Sequence, residues 1–485
     1  MTKHCLLTAL AIWWLGTGFA QSLPDTVSLQ GLLQYTQSQT LSELEADIRL
    51  QQARSRFDNF VASRRPQVNG YADLPNFIRS FSETTQPNGS ITFNPISYNN
   101  SSVGLSVEQA ITVTGGTVFL QSDLQRFDDF QSNGRLYNGI PARLGIVQPL
   151  FAFNPWKWDK QIEPLRLEES KSVYVQNKQI AKQEIGRFFL ALLLAHNEYQ
   201  IAASNRQNSR ELLKIAQERY DLGKISRRDL LQLQLESTTA ERNVLSAGQV
   251  WEQASADLQV LFGIPLPKDR LVPELPLVLP SLELDPTTVG KMAAQQNPSL
   301  ITSERQLLEA DREVARAKRE NGFQMDLFAS VGLAGSSMQL QEVYTQAMDE
   351  EVVRLQVNIP ILDWGQRRNS TQIAQAQSTF LQRKLQQDRL LIEIQAEQTA
   401  RQFNRLETEM ELAGEIKDLA EEQYSISKNS YLLGAISLSE LTLSQTAKDA
   451  AVRQYMQSLR SYWSTYLDLQ TQTLYDFAKQ TNIQD

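Results

Sequence analysis

The sequence predicts a mainly α-helical protein with a membrane-type β portion, built from a duplicated helix–strand–loop–strand–helix unit. Three observations carry that prediction. Apolar residues form long seams at helical spacing, a set of residues recurs at a fixed offset of 211, and in runs of about ten residues apolar side chains alternate with mostly polar or small ones.

At the N-terminus, Lys3 and His4 precede an apolar run from Leu6 to Leu15 that ends in Gly18-Phe19-Ala20. A basic start, a short apolar core and a small-residue site read as a secretory signal over residues 1–20. The run is too short for a membrane anchor, which needs about 20 apolar residues. Cys5, the only cysteine, lies inside that segment, so the mature chain is expected to hold no disulfide, no thiolate metal site and no lipid-anchor cysteine. Of 47 basic and 55 acidic residues only Lys3 belongs to the signal, which leaves 46 against 55, a net charge of −9. That balance argues against nucleic acid as a partner, which calls for a basic face. No later stretch has the length of a spanning helix, so any membrane insertion would use a closed β-barrel, the other structure that satisfies backbone polar groups in lipid.

Helices are expected over about 28–65, 157–222, 226–262, 298–320, 365–433 and 437–477. The seams Ile185, Phe188, Leu192, Ala195, Tyr199, Ala202 and Val244, Ala247, Trp251, Ala254, Leu258, Leu261 advance by steps of 3, 4, 3, 4 and 3. Val452, Tyr455, Leu459, Tyr462, Tyr466 and Leu469 do the same. An average step of about 3.5 puts each set on one narrow helix face, as in coiled coils. Pro164 is the one proline between Lys157 and Tyr220, near the helix start where it is best tolerated, and Gly365–Leu433 contains none. A helix of roughly 65 residues is about 100 Å long, more than a globular core needs. A solvated structural coiled coil remains open at this point.

The repeat sharpens the picture. Tyr220, Leu222, Gly223, Ile225, Ser226, Leu230 and Gln234 recur as Tyr431, Leu433, Gly434, Ile436, Ser437, Leu441 and Gln445, and Asp229 meets Glu440. Pro149-Leu150 meets Pro360-Ile361 at the same offset of 211, whereas Gln67-Val68 meets Gln324-Met325 at 257. A first repeat over 21–264 and a second over 298–477 follow, with 46 extra residues (257 minus 211) before Pro149. Between them, residues 265–297 hold Pro265, Pro267, Pro273, Pro276, Pro280 and Pro286 and read as a linker; residues 478–485 form a tail.

In the second half, strands are expected at 324–334 and 352–362. In the first half they fall within 67–152: Val68–Leu74, Val103–Val113, about Val118–Gln125 and Leu144–Leu150. The 46 extra residues fit one additional hairpin, with Thr114-Gly115-Gly116 as a short turn and Arg79–Ser101 and Asp128–Pro141 as polar outer loops. Apolar residues on one side only suit a lipid-facing barrel strand; an amphipathic sheet packed on a core is the alternative. The flanking helices are too long and narrow to cover such a sheet.

Taken in order, these features resemble the TolC-like outer-membrane efflux proteins over essentially all of the mature chain. The resemblance rests on the duplicated unit, the paired turns Tyr220-Asp-Leu-Gly-Lys-Ile-Ser and Tyr431-Leu-Leu-Gly-Ala-Ile-Ser, and the strand exits Gln148-Pro149-Leu150-Phe151 and Ile359-Pro360-Ile361-Leu362. It implies a homotrimer with a long periplasmic α-barrel and a transmembrane β-barrel in outer-membrane lipid of a Gram-negative bacterium, most of its mass lying in the periplasm. It also implies a passive exit duct, docked through a periplasmic adaptor (membrane fusion) protein to an inner-membrane pump of the resistance-nodulation-division or ABC class, for efflux or type I secretion. Such proteins usually contribute four strands per chain, so an extra hairpin is a departure.

The resemblance further implies that Leu222, Gly223, Ser226, Leu433, Gly434 and Ser437 lie at adaptor-contact hairpin tips, and that Asp229, Tyr431 and Glu440 belong to a periplasmic aperture. The two serines equally suit ordinary helix caps, and Glu440 a solvated carboxylate. The family's gate arginine is replaced by Ile436, and one of its acidic aperture positions by Leu443. Arg227 and Arg228 are candidates for a substitute bridge. No catalytic, cofactor or metal site is expected: His196 is the only mature histidine and lies beside the Ala195 seam, and no phosphate loop, zinc-type histidine pair or cysteine nucleophile is present. The rival reading is a non-conducting periplasmic coiled-coil structural or adaptor protein.

Overall fold

The computed structural model describes residues 26–35, 41–87, 89–262, 270–277, 282–320 and 322–483, so the expected signal segment 1–20 lies outside the described residues. In chain order the first elements are β1 (Thr26–Val27), α1 (Leu29–Tyr35) and α2 (Leu41–Ser63). There follow β2 (Gln67–Asp73), β3 (Phe77–Thr85), β4 (Ile91–Ile111), β5 (Gly116–Asp129) and β6 (Gly134–Leu150). Two long helices, α3 (Pro155–Asp221) and α4 (Arg227–Leu261), precede β7 (Val272–Pro273), α5 (Pro286–Gln296) and α6 (Pro298–Glu320). The second half continues with β8 (Gln324–Ser337), α7 (Leu340–Thr345), β9 (Met348–Asn358), α8 (Gln366–Leu433) and α9 (Leu438–Thr473), and closes on β10 (Tyr475–Asp476) and β11 (Thr481–Asn482).

The chain forms two compact units. One comprises the described residues up to Asp47, Tyr174–Gln296 and Glu393 onward; the other comprises Ile48–Val173 and Asn297–Ile392. In the first unit, every residue of the three apolar seams is buried or half-buried. Phe403 and Tyr462, both fully buried, meet at 5.0 Å between ring centroids, with Tyr466 and Trp463 around them. Burial of one such aromatic side chain contributes about 1.5–3 kcal/mol, so the seams, not intrinsic propensity, hold these helices together.

Several boundaries differ from the sequence reading for identifiable reasons. Pro286 starts a helix inside the expected linker, because proline suits the first helical position and Asp285 caps it through the Thr288 N–H at 3.0 Å. The last long helix stops at Thr473, four residues early, where Leu474 turns left-handed at φ 50°. The strand expected at 352–362 ends at Asn358, before the chain reaches Pro360, which lacks a ladder donor.

The second unit carries one antiparallel sheet in the order β2-β4-β5-β6-β8-β9. β3 lies on the same side of β4 as β2, pairing Phe77–Thr85 with Ile91–Asn99, so the two share one position and the sheet has six rungs. Most of the polar stretches expected to be outer loops are strand: β3, the start of β4 and the start of β6. Alternation fades in β3 and over Ile91–Pro95 because both faces are largely exposed, yet the backbone ladder continues.

Register separates the faces. Val68, Val107, Leu120, Leu144 and Val331 stand in one cross-strand row, and Val103, Leu105, Ile146, Leu327, Val353 and Leu355 share their side. Val68 is 70% exposed, Leu105 61%, Val331 54% and Val353 79%, an aliphatic face with nothing packed on it among the described residues. The opposite face is polar. On it Tyr71 donates a hydrogen bond to Asp123 across Gly104, and Arg143 pairs with Glu350 across Gly332. A Cβ on Gly104 would lie 2.3 Å from the Asp123 carboxylate, and one on Gly332 would lie 2.5 Å from the Ala142 carbonyl. Each glycine is the opening through which side chains two strands apart meet.

Candidate functional site

The paired turns join α3 to α4 and α8 to α9, and the same local physics builds both. Each long helix ends in a glycine at positive φ, Gly223 at 70° and Gly434 at 80°, a conformation that strains a side-chain-bearing residue. The Gly223 N–H bonds the Tyr220 carbonyl at 2.8 Å and the Lys224 N–H the Arg219 carbonyl at 2.8 Å. Gly434 to Tyr431 and Ala435 to Ser430, both 2.9 Å, repeat the pattern. This is the Schellman ending, which satisfies the last carbonyls of a helix.

The N-cap of the next helix lies three residues after each glycine. The Ser226 hydroxyl accepts from the Asp229 N–H at 3.2 Å while Asp229 accepts from the Ser226 N–H and hydroxyl at 3.4 and 2.7 Å. Ser437 and Glu440 form the same box, with Glu440 accepting at 2.7 and 2.9 Å and donating its N–H at 3.3 Å. Ile225 and Ile436, just before the serines, pack against a cluster containing Leu230 and Leu441, the residues four positions into each helix. Capping box and hydrophobic staple thus account for the duplicated Ile-Ser-x-x-Asp/Glu-Leu.

That cluster joins the two turns. Leu212, Ala216, Leu230, Leu233, Tyr424, Tyr431 and Leu441 are buried together, from four helices. Tyr431 is buried and its phenol is pushed up, first by burial. Asp229 and Glu440 are held below the usual carboxylate range, Asp229 by the Ser226 hydroxyl and Glu440 by the Ser437 N–H and then its hydroxyl. Among the described residues the hydrogen bonds of Asp229 are those of its box, not one with Tyr431. Arg228 sits 3.8 Å from Asp229 with 92% of its side chain exposed, a contact worth little in water, and Arg227 is exposed.

The remaining residues at the turns face outward. Leu222 is 70% exposed and Leu433 86%, and neither capping motif requires a leucine there. Leu443 is also exposed. Ile436, at the family's arginine position, serves as the staple. One residue escaped the sequence reading: Arg219 donates to the Leu432 carbonyl at 2.6 Å and lies 5.9 Å from the Tyr431 ring centre. It ties the first turn to the second. Its only signal in the sequence was an arginine inside the repeat that lands, at offset 211, on Ser430.

His196 packs edge-on against Trp251 at 4.5 Å and bonds Gln200 at 2.8 Å, and burial lowers its pKa. Among the described residues no group of three His, Cys, Asp or Glu could hold a metal ion, and no helix is long and apolar enough to cross a membrane.

Residues 33–264 and 289–473 match the family of outer membrane efflux proteins. The chain belongs to that family. Its proteins are outer-membrane channels, not enzymes. Among curated proteins the chain is similar to the alkaline protease secretion protein AprF of Pseudomonas aeruginosa, at 23% identity over 249 residues. That alignment covers 51% of this chain, and the chain spans about half (51%) of the relative's length. In fold it is similar to the CmeC outer membrane channel of Campylobacter jejuni, with TM-score 0.68 and 13% identity over 94% of this chain and 87% of that one. The outer membrane protein VceC of Vibrio cholerae gives 0.64 and 12% over 94% and 97%. The TolC-like architecture follows; cargo does not.

Proposed function

We propose that this chain is one subunit of a homotrimeric outer-membrane channel, the passive exit duct of a tripartite efflux or type I secretion system. In this reading the two repeats, 21–264 and 298–477, each supply strands to a shared transmembrane β-barrel and a helix hairpin to a periplasmic α-barrel. The carrying observation is the sheet with an exposed aliphatic face, from Val68 to Val353, and a polar face opposite. An aqueous environment penalises that aliphatic face; lipid accepts it, and the polar face then lines a wet bore. Most of the mass, being helical and outside the sheet, occupies the periplasm.

The tips supply the docking end. Exposed Leu222 and Leu433 beside the open-sided Gly223 and Gly434 offer an apolar contact for a periplasmic adaptor, which links the duct to a resistance-nodulation-division or ABC pump in the inner membrane. Ser226 and Ser437 shape these tips as caps. Asp229, Tyr431 and Glu440 border the aperture, where a ring of three Glu440 carboxylates focuses negative potential on cations. Arg227 and Arg228 flank it.

Purified protein in a planar bilayer tests the reading. Discrete conductance with cation preference, reduced in Glu440→Ala, is the expected result. Absence of conductance from both proteins overturns the channel; unchanged selectivity in the variant removes Glu440 from the aperture.

A further inference from the structure

The sheet is wider than duplication requires. By offset, β2 corresponds to β8 and β6 to β9, which would give four rungs per chain. The extra residues form most of the hairpin β4–β5, placed between β2 and β6 in the middle of the sheet. It is not an appendage. β4 pairs with β5 continuously from Tyr98–Asp129 to Ile111–Gly116, β2 and β3 occupy the other side of β4, and β6 occupies the other side of β5. Its outward residues, Val103, Leu105, Val107, Val118 and Leu120, extend the aliphatic face, with Ser122 among them opposite Leu105.

The two edges are complementary. All seven residues of β2 are exposed, and so are all of β9 except Glu350 and Val352, whereas inner β5 is mostly half-buried. Neither edge strand carries a proline or lysine, two of the devices that blunt an edge, and the acidic run Asp349–Glu351 lies at one end of β9. Each successive rung runs antiparallel to the last, so with six rungs β2 and β9 point in opposite directions. The β9 edge of one copy therefore meets the β2 edge of the next antiparallel, as in every other pair of the sheet. Rotation about a common axis keeps faces matched, setting Val353, Leu355 and Val357 beside Val68 and Ala72 on the outside. Open edges cannot stand in lipid, where each unpaired backbone group costs several kcal/mol.

We infer that β9 of each copy pairs with β2 of the next and that three copies close an eighteen-stranded barrel. This rests on the trimeric reading above and deepens it. Barrel diameter grows roughly linearly with strand number, so the bore is about one and a half times as wide as a twelve-stranded closure. Its membrane section would not be the limiting constriction.

Cysteine cross-linking tests the closure. In a Cys5→Ser background, Val68→Cys or Ala72→Cys is combined in turn with Val353→Cys, Leu355→Cys and Val357→Cys to span the registers, and outer-membrane protein is oxidised. A covalent trimer for at least one combination, and eighteen strands in an image of the particle in a lipid nanodisc, are the expected results. Cross-links from Leu120→Cys on β5 to β9, with twelve strands, overturn the inference and leave the channel intact. Covalent dimers from a single cysteine on β9, or protein that is monomeric before oxidation, overturn the trimeric reading itself.

Discussion

The turn at Gly223 and the turn at Gly434 share nearly everything that shapes a backbone and little that does not. Schellman ending, staple isoleucine, cap serine, reciprocal carboxylate and buried leucine occur in both. Around that frame the sides diverge: Arg227 and Arg228 follow the first cap, Leu438 and Ser439 the second, and Arg219 faces Ser430. Apart from the exposed pair Leu222 and Leu433, the duplicated residues thus mark what the reversal needs, and the unmatched ones mark where the two tips differ. Asp229 and Glu440 stand in both groups, since each closes a capping box whatever else it does.

Four measurements can break or sharpen that contrast. Leu230→Ala and Leu441→Ala should each destabilise their tip by about 2–5 kcal/mol, as cavities in a buried cluster do. Amide exchange at the two turns should rise by similar factors; a large asymmetry would show that the shared frame is not equally used. Arg219→Ala should cost about 1.5 kcal/mol, the loss of a charged hydrogen bond to the Leu432 carbonyl, and should loosen the second turn although the change lies in the first. Exchange confined to the first turn would remove Arg219 as a tie.

Smaller effects follow. Ser226→Ala and Ser437→Ala should each cost about 1 kcal/mol and fray the first turn of α4 or α9, visible as faster exchange there. The smallest effect is that of pH. Both carboxylates have folded pKa values below their usual ones, so their contribution is present above about pH 4–5 and is lost as pH falls through the depressed values. Exchange at the starts of α4 and α9 should rise on acidification. Glu440→Gln should abolish that pH dependence in α9 alone.

Much of this was legible in one sequence. The seams, paired turns and alternating strands follow from periodicities of 3.5 and 2, which burial imposes directly on residue choice. The rest was hidden where that pressure lapses. In β3 and over Ile91–Pro95 both faces of the strands are largely exposed, so the ladder continues without an alternating signal. Pro286 was counted as a breaker because the benefit of proline depends on its helix position, which a local reading had not located. The staple role of Ile436 adds to its replacing the family's gate arginine, and it shows only in packing against the cluster that holds Leu441. Arg219 was invisible because its acceptor is a backbone carbonyl, which leaves no trace in residue identity.

The glycine openings on the polar face carry a consequence for assembly. Gly104 and Gly332 lie opposite the side-chain pairs Tyr71–Asp123 and Arg143–Glu350, so each pair closes only when three strands are in the correct register. A slip of one residue swaps the two faces of a strand and sets a side chain where the glycine stood. These positions therefore act as a proofreading step. A misaligned sheet forfeits its inner polar links, while a correctly aligned one locks them.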